Sequence, residues 1–394
     1  MAKRRAVMPE QPTIYLDHGA TSWPKPQVVV EAVVQALTEC GGNPGRGAYR
    51  LALATSRLIH DARKDIAELL GVPDARDLLF QPGCTEALNL VLRGLLRPGD
   101  RVVTTTVEHN AVARPLLALQ ALGLELVFAE ADPTGTVDVE SVARVLAGSP
   151  VRAVVCQHAS NLTGAIHPLA DIGRLAREAG ALLLVDGAQA GGHLDVDLAA
   201  VQPDAWACSG HKGLLGPQGV GVLYLAPTCR PEPFVLGGTG GGSSADAHMP
   251  DVRPDRYEAG TVNTPGIAGM GAAARLLAIE APALRANETR LARSLHEGVL
   301  GIEGFRVLGP PPEVPRVPIV AVVHERIDAD KLAFALDRRF GIAVRAGLHC
   351  APWAHRAVGT LQTGALRFGI GYGTTDEHID LALSALRTLS QELG

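Results

Sequence analysis

The feature of this sequence that most constrains its fold is an alternation of short apolar runs with helical segments between residues 75 and 225. Strand-like runs at 78–80, 101–105 and 151–156 are each followed by residues with a helical pattern. Strands that alternate with helices pair into a parallel sheet, with right-handed crossovers between successive strands. The sequence therefore predicts an α/β fold whose mainly parallel sheet is flanked by helices.

The chain after residue 260 predicts a smaller α+β unit. A long helical segment begins at Pro265, and Pro282 inside it predicts a kink or a break. The remaining predicted elements are a strand at 319–323, a helix at 328–340, a second strand at 343–345 and a terminal helix from 374 onward. Thr374 and Glu377 have the spacing of a capping box at the start of the last helix.

The length of the chain bears on its division into domains. At 394 residues it is longer than a usual single domain, which favours two domains. We predict a large domain over residues 24–260 and a small domain formed by residues 1–23 and 261–394. In this division the first residues form an arm that is tied onto the body of the protein.

Composition argues against several classes of function. The 36 basic and 41 acidic residues give a net charge of −5, which provides no basic surface for nucleic acid. No run approaches the roughly 18 apolar residues that span a bilayer, and no apolar stretch follows the basic first residues as in a secretory signal. The six cysteines show no C-x-x-C spacing, so neither a disulfide framework nor a zinc site is indicated. We expect a cytoplasmic protein that binds no metal, membrane or nucleic acid.

Lys212 and Asp186 carry the first chemical prediction. Lys212 stands in the segment SGHKG at 209–213, between two strand-like runs, and Asp186 ends a buried apolar run. A lysine in an apolar pocket has a lowered pKa and attacks carbonyl groups, although the pentapeptide alone also fits a surface turn with a solvated lysine. An acid at a strand end followed by such a lysine suits pyridoxal 5'-phosphate (PLP). The lysine bonds the cofactor covalently, and the acid pairs with its pyridine nitrogen.

At these residues the chain resembles the class V group of fold-type I PLP-dependent enzymes, the aminotransferase class V superfamily, and in particular the cysteine desulfurases. The resemblance runs from Ile14 to the last helix. It implies a fold-type I PLP transferase, with a large domain around a mainly parallel sheet and a smaller α+β domain. It also implies PLP as the cofactor, and a homodimer whose subunits share their active sites.

Cys350 indicates the reaction within this group. It lies in the loop RAGLHC at 345–350, where the positive neighbours Arg345 and His349 favour the nucleophilic thiolate. The loop is similar to the type II desulfurase motif Arg-x-Gly-His-His-Cys, with Leu348 in place of the first histidine. The resemblance implies that Cys350 takes sulfur from L-cysteine as a persulfide and passes it to a thiol or to a sulfur-acceptor protein.

A second group of residues predicts an anion site. Residues 81–87 follow a strand and open a helix, where free N–H groups and the helix dipole attract an anion. A plain N-cap by Thr85 explains the same residues. Ser209 and His211 can also donate to an anionic group. The resemblance makes Cys84 and Thr85 contacts of the cofactor phosphate.

Three polar residues that follow predicted strands complete the expected cofactor contacts. His109 follows the strand at 101–105, at the edge where sites of α/β proteins gather. The resemblance makes it the residue that stacks on the pyridine ring and moves protons. Turn chemistry alone explains Asn161, whereas the resemblance makes it a contact of the phenolic oxygen of the cofactor or of the substrate carboxylate. Gln189 is implied to bond the same ring oxygen.

Arg367 is predicted to clamp the substrate carboxylate, because its planar fork pairs with both carboxylate oxygens. The alternative for this residue is a surface salt bridge. The resemblance further implies that Thr261 reaches the phosphate bound by the partner subunit, and that Arg46 borders the substrate entrance. The glycine-rich segment 237–244 is implied to lie near the dimer interface. The chain departs from many relatives at His18-Gly19, where they have Asn-Ala.

Three functions are compatible with these residues. The first is a PLP-dependent cysteine desulfurase, in which Lys212 removes the α-proton and Cys350 attacks the substrate sulfur. The second is a C–S or selenocysteine lyase, which would release pyruvate by β-elimination and would not need Cys350. The third is a non-catalytic scaffold, which the joint presence of Lys212, Asp186, His109 and Arg367 disfavours.

Overall fold

The computed structural model describes residues 13–45, 47, 49–239 and 247–393. Its main sheet has seven strands: β2 (Leu78–Gln81), β3 (Arg101–Thr105), β4 (Glu125–Ala129), β5 (Ala153–Gln157), β6 (Leu182–Asp186), β7 (Ala205–Ser209) and β8 (Gly221–Leu225). The strand order is β2-β8-β7-β6-β5-β3-β4, and β8 runs antiparallel to both of its neighbours while the other pairs are parallel. The predicted, mainly parallel sheet is thus confirmed.

Helices connect the strands and extend beyond them. In chain order they are α1 (Gln27–Glu39), α2 (Arg50–Leu69), α3 (Cys84–Leu95), α4 (Asn110–Gln120), α5 (Val139–Leu146), α6 (Leu169–Glu178), α7 (Leu198–Val201), α8 (Thr264–Leu300), α9 (Ala329–Phe340), α10 (Pro352–Ala357) and α11 (Asp376–Leu393). Helices α3 to α6 follow β2 to β5 in turn, as the alternation in the sequence predicts.

The main sheet is covered on both faces. Along β5, Val154 and Cys156 belong to an apolar cluster that includes residues of α2, α6 and α8. The alternate residues Ala153 and Val155 belong to a second cluster, with residues of α3 and α4. Strands that are buried on both faces need apolar side chains at every position, which explains why the sequence shows continuous apolar runs there.

A smaller antiparallel sheet forms the second unit. Its strands are β9 (Phe305–Leu308), β10 (Ile319–His324), β12 (Arg345–Gly347) and β13 (Ala365–Gly369), in the order β12-β13-β10-β9. The first strand of the chain, β1 (Ile14–Tyr15), pairs in parallel with β11 (Ile342–Ala343). The N-terminal arm is therefore attached to the small unit, which places its next residues between the two units.

Helix α8 joins the two units. It is continuous over Thr264–Leu300, so the break expected at Pro282 is wrong. Ile267 and Met270 lie in the core of the main sheet, whereas Leu291 and Leu295 lie in the core of the small unit. A proline removes one helical hydrogen bond, and packing on both sides of it stabilises the helix. Because α8 contributes to both cores, the domain division at residue 260 stays a prediction.

The last helix begins one residue later than the capping box predicts. The Thr375 hydroxyl accepts from the His378 N–H at 3.4 Å, and the Thr375 N–H donates to His378 Nδ1 at 3.4 Å. Thr374 instead accepts from the Gly371 N–H at 3.2 Å. An imidazole thus takes the reciprocal role that a glutamate has in the usual capping box.

Helix α8 also bears on the membrane question. Within the described chain it is the one helix long and apolar enough to cross a membrane by length and composition. Of its most apolar 18-residue stretch, 56% is buried inside the protein. The helix packs against α1 and α2. Arg275 and Glu280 interrupt its apolar residues, which is why the sequence shows no unbroken run of that length.

Buried histidines make the fold sensitive to acid. His167 is 2% exposed, its Nδ1 accepts from the Val137 N–H at 3.2 Å, and burial lowers its pKa from 6.5 to about 3. The folded protein then keeps His167 neutral while the unfolded chain binds a proton below pH 6.5, so stability is lost as the pH falls from 6.5 towards 3. Each such histidine costs about 1.4 kcal/mol of unfolding free energy per pH unit in that window.

We therefore expect His167→Asn to reduce the fall in melting temperature between pH 6.5 and 5, because the asparagine oxygen can accept from Val137 but cannot be protonated. Calorimetric melting of both proteins across this range measures the slope. The matched control is His60→Asn, since His60 is an exposed residue of α2. An unchanged slope in His167→Asn would contradict the neutral state of His167.

Candidate active site

The carboxyl ends of the parallel strands bring most of the predicted site residues together. Strands β5, β6 and β7 end there, and α3 and α4 begin close to the ends of β2 and β3. A cavity of about 360 Å³, counting its opening to solvent, lies at this edge, and we call it the edge cavity. Its lining includes eight predicted residues: Cys84, Thr85, His109, Asn161, Asp186, Gln189, Ser209 and Lys212. The other four predicted residues, Cys350, His211, Thr261 and Arg367, lie outside its lining.

Lys212 and Asp186 face the same cavity. Burial lowers the pKa of Lys212 below its usual range, against the opposing effects of Asp186 and Cys84. Its Nζ has no hydrogen-bond partner in the described part of the chain. Asp186 is 4% exposed, and its Oδ1 accepts from the Ala188 N–H at 2.9 Å. A lysine with a lowered pKa is an available nucleophile, and the fixed carboxylate can pair with a cationic ring nitrogen.

The Cys84 side chain contacts the Asp186 carboxylate, and its contact with a cofactor phosphate stays a prediction. Cys84 begins α3, and its Sγ lies 3.4 Å from Asp186 Oδ1 and 3.4 Å from the Ala207 carbonyl oxygen. Burial, with a smaller contribution from Asp186, raises the pKa of this thiol well above its usual range, so it stays protonated and donates. The Cys84 side chain therefore supports the Asp186 carboxylate, and the hydroxyl of the neighbouring Thr85 also lines the edge cavity.

His109 has a defined tautomer. It is the N-cap of α4, and its Nδ1 accepts from the Ala111 N–H at 3.0 Å. Burial lowers the pKa of His109 from 6.5 to about 4, so the imidazole is neutral at physiological pH. Because Nδ1 is an acceptor, the proton of the neutral ring resides on Nε2. His109 can donate from Nε2, and it cannot bind a proton at Nδ1 without losing the helix cap.

Asn161 and Gln189 both present an amide oxygen. Asn161 Nδ2 donates to the His349 carbonyl oxygen at 2.7 Å, and Gln189 Nε2 donates to that of Gly19 at 2.9 Å. The oxygens Oδ1 and Oε1 of the two amides are buried without a partner. A free amide oxygen accepts from a donor, which a phenol hydroxyl supplies and a carboxylate does not. For Asn161 this favours the phenolic oxygen of the cofactor over the substrate carboxylate.

The lining of the edge cavity fits PLP. Thr85 and Ser209 offer hydroxyl groups, and the first turn of α3 offers N–H groups that lack intrahelical partners, which together suit a phosphate. Asp186 suits the ring nitrogen, one of the two free amide oxygens suits the single phenol hydroxyl, and Lys212 suits the aldehyde. The cavity therefore matches each polar group of the cofactor with a complementary side chain.

His211 acts through its backbone. Its carbonyl oxygen accepts from the Ser22 N–H at 2.8 Å, the Ser22 hydroxyl at 3.1 Å, the Thr21 hydroxyl at 3.2 Å and Lys25 Nζ at 3.1 Å. Its ring is not in the lining of the edge cavity. The N-terminal arm thus holds the peptide unit that immediately precedes Lys212, and this restricts where the lysine side chain starts.

Arg367 is a buried residue of β13 and not a surface salt bridge. Its side chain is 1% exposed, Nη2 lies 2.7 Å from Asp17 Oδ1, and Nη1 donates to the Asn161 carbonyl oxygen at 3.1 Å. Its Nε is buried without a partner. A guanidinium held at two nitrogens and free at the third is oriented for one more acceptor, such as a substrate carboxylate.

Cys350 lies at the entrance to the edge cavity. It lines a second cavity, the entrance groove, with residues of α3 and α4, and this groove shares Thr85, His109 and Ala111 with the edge cavity. Cys350 is exposed, and Arg345 Nη2 lies 3.5 Å from its Sγ. Its carbonyl oxygen accepts from the Asn110 N–H at 2.8 Å, so the loop is attached to the start of α4. The thiol is accessible beside a cation.

His349 does not supply the positive charge expected beside Cys350. The ring is 2% exposed, its Nε2 lies 3.0 Å from the Ala365 carbonyl oxygen, and it stacks on His355 at 5.7 Å. Burial, with a further contribution from Arg367, lowers the pKa of His349 well below its usual range, so it is neutral. The expectation of two cations is corrected to one, Arg345, because His349 is turned into the core.

Two further predictions concern residues away from the edge cavity. Thr261 is exposed and lines a separate surface cavity with Gly219 and Tyr257, so its assignment to a partner's phosphate stays a prediction. Arg46 lies outside the residues that the structure describes, as do residues 240–246 of the glycine-rich segment.

Several residues at the site were not singled out from the sequence. Asp17 pairs with Arg367, Gln157 lines the edge cavity, and Lys25 holds the Lys212 segment. Asp17 and Lys25 lie before the first helix, far from their partners along the chain, and no local pattern marks them. Gln157 ends β5 just as Asp186 ends β6, so its position at a strand end was a signal that could have identified it.

Comparisons with known proteins agree with this geometry. The profile of the aminotransferase class V family matches residues 14–382. A probable cysteine desulfurase of Methanothermobacter thermautotrophicus is 34% identical over 383 residues, covering 96% of this chain and 94% of the relative. The apo structure of the cysteine desulfurase from Thermococcus onnurineus NA1 has a TM-score of 0.90 at 32% identity, with 97% and 95% of the two chains covered. The Escherichia coli cysteine desulfurase CsdA has a TM-score of 0.87 at 29% identity, with 97% and 96% covered.

Proposed function

This chain belongs to the aminotransferase class V family, and from that premise we propose that it is a PLP-dependent cysteine desulfurase that converts L-cysteine to L-alanine. The observation that carries the proposal is the joint placement of Lys212, Asp186 and Cys350. The first two line the edge cavity, and Cys350 lies on the entrance groove, which shares Thr85, His109 and Ala111 with that cavity. A lyase acting by β-elimination needs the first two residues and has no use for an exposed thiol at that position.

Four residues would act around the cofactor. Bound PLP supplies an electron sink for the charge that remains when a bond to the substrate α-carbon breaks. Asp186 keeps the ring nitrogen protonated, with Cys84 donating to the same carboxylate. Lys212 Nζ, whose pKa is lowered by burial, takes the α-proton. His109 donates from Nε2, since its Nδ1 is engaged by the Ala111 N–H.

Arg367 and Cys350 would act on the substrate itself. The free Nε edge of Arg367 binds the α-carboxylate, with Asp17 and the Asn161 carbonyl oxygen fixing its orientation. The Cys350 thiolate attacks the sulfur of L-cysteine, so an S–S bond forms while the substrate C–S bond breaks. The β-carbon that loses sulfur takes up a proton, and the α-carbon regains the proton that Lys212 removed, which leaves alanine and a Cys350 persulfide. A thiol or a sulfur-acceptor protein then removes the outer sulfur.

The proposal extends to assembly and location. Apolar residues on one face of α1 are exposed, namely Val30 at 45%, Val34 at 54% and Leu37 at 67%, and Trp23 nearby is 52% exposed. A patch of this kind supports a homodimer in which a second copy covers it and contributes Thr261 to the neighbouring phosphate site. The six free cysteines support a reducing, cytoplasmic location.

The experiment that tests the proposal measures products from L-cysteine and a reducing thiol. We expect wild type to form alanine and sulfide in equal amounts. In Cys350→Ala the rate of alanine formation should fall by at least about tenfold, because the nucleophile is lost and a free thiol in solution is a poorer substitute. Alanine, pyruvate and sulfide are quantified in the same samples.

The matched control is Cys40→Ala, since Cys40 is a partly exposed cysteine outside both cavities. Its products should equal those of wild type. Pyruvate in place of alanine, with Cys350→Ala as active as wild type, would identify a β-eliminating lyase. Purified protein that fails to bind PLP would support the scaffold alternative.

A further inference from the structure

Glu108 is a fully buried acid that has no part in the chemistry described so far. It is 0% exposed and lies between the ends of β3 and β5, next to His109. Its Oε1 accepts from the Thr105 hydroxyl at 2.5 Å and from the Gln157 N–H at 3.1 Å. Its Oε2 is buried without a partner. Burial of an unpaired polar atom destabilises the folded state, so a carboxyl group at this position indicates a specific role.

The contacts of Glu108 join two strands beyond the point where their pairing ends. The ladder between β3 and β5 stops at Thr104 and Val155. Past it, the Glu108 side chain accepts from the Gln157 backbone, and the Gln157 side chain donates to the Val107 carbonyl oxygen at 2.6 Å. This reciprocal pair connects the segment before His109 to the end of β5, and both His109 and Gln157 line the edge cavity.

The surroundings of Glu108 require a neutral carboxyl group. No lysine, arginine or histidine of the described chain forms an ion pair with it. The titratable groups that act on it or face it are Asp186 at the end of β6 and the Cys156 thiol on β5, and neither is a cation. Burial, with a smaller contribution from Asp186, raises the pKa of Glu108 to about 8 against the hydrogen bonds of Thr105 and Gln157. A buried carboxyl without a cation stays protonated.

We propose that Glu108 is a positioning residue that works as a neutral acid, holding the ends of β3 and β5 together so that His109 and Gln157 face the cofactor. The inference rests on the PLP site of the proposed function and does not depend on sulfur transfer. Two variants separate the properties of the side chain. Glu108→Gln keeps its length and cannot ionise, whereas Glu108→Asp keeps the acid and is one methylene too short to reach both strands.

The experiment titrates PLP into each apoprotein at pH 7 and records fluorescence quenching and the visible circular dichroism of the bound cofactor. We expect Glu108→Gln to bind with a Kd within about twofold of wild type and to give the same dichroism. Glu108→Asp should raise the Kd at least about tenfold and change the dichroism, since it loses a hydrogen bond that positions the site. Glu297→Gln, on the exposed face of α8, is the matched control.

A second readout uses the pH dependence of stability. The folded protein keeps the Glu108 proton up to about pH 8, whereas the unfolded chain releases it near 4.5, so wild type loses stability relative to Glu108→Gln as the pH rises from 4.5 to 8. The gap in melting temperature should widen over that range and then level off. A gap in melting temperature that is constant with pH would overturn the inference. So would weak PLP binding by Glu108→Gln together with normal PLP binding by Glu108→Asp. Wild type that binds no PLP would instead overturn the proposed function.

Discussion

Replacing Lys212 with alanine is expected to lower kcat for alanine formation by at least about 10³-fold, because in the proposed mechanism one change removes both the covalent attachment of the cofactor and the base for the α-proton. The structure supports both roles. Lys212 lines the edge cavity, burial lowers its pKa, and its Nζ has no competing hydrogen bond within the described chain. Steady-state rates of alanine formation, together with the visible absorption of the purified protein, measure the two losses.

The control for this prediction is Lys331→Ala. The Lys331 side chain is 72% exposed and pairs with Asp328 on the surface, so its removal should leave both rate and absorption unchanged. A Lys212→Ala protein with a rate within tenfold of wild type would show that another group removes the proton. Lys25, which is half-buried beside the same segment with its pKa lowered to about 8, would then be the next residue to replace.

Replacing Arg367 with methionine is expected to lower kcat/KM for L-cysteine by about 10²-fold, the size of effect that follows from losing a charged hydrogen bond to a carboxylate. The same change leaves the Asp17 carboxylate without the guanidinium that it contacts at 2.7 Å. We therefore also expect the protein to be less stable by about 3 kcal/mol, as is usual when one partner of a buried pair is removed. Steady-state kinetics and urea unfolding measure the two effects separately.

The double variant Asp17→Asn/Arg367→Met separates the effect of Arg367 on substrate binding from its effect on protein stability. It should recover part of the lost stability, because no unpaired carboxylate remains, and it should keep the low kcat/KM. Arg306→Met, at an exposed position of β9, is the matched control and should change neither quantity. If kcat/KM recovered together with stability in the double variant, Arg367 would have a structural role only.

The sequence predicted the chemistry of the site more reliably than the orientation of its side chains. Lys212, Asp186 and His109 were identified from their places at strand ends, and the structure brings them into one cavity. Cys84 was also placed there, and its thiol contacts Asp186, a partner that the sequence did not indicate. Position along a strand or helix determines which residues reach an edge. The direction of each side chain depends on neighbours from other elements.

Charge was predicted less well than position. His349 was expected to be a cation beside Cys350, and burial against Ala365 and His355 makes it neutral. Glu108, which directly precedes His109, was given no role from the sequence, and its protonated state follows from complete burial. The letters of a sequence show which groups can ionise. Whether they do depends on the solvent that the folded chain removes from them.

The sequence by itself determined the α/β alternation, the order of strands and helices along the chain, and the residues at strand ends, because these follow from local periodicity and short motifs. Only the tertiary structure decided that Asp17 meets Arg367 across 350 positions and that Asn161 holds the Cys350 loop across 188. Local signals act within a few residues, whereas such contacts are set by how α8 and the two sheets pack. That packing is a property of the whole folded chain.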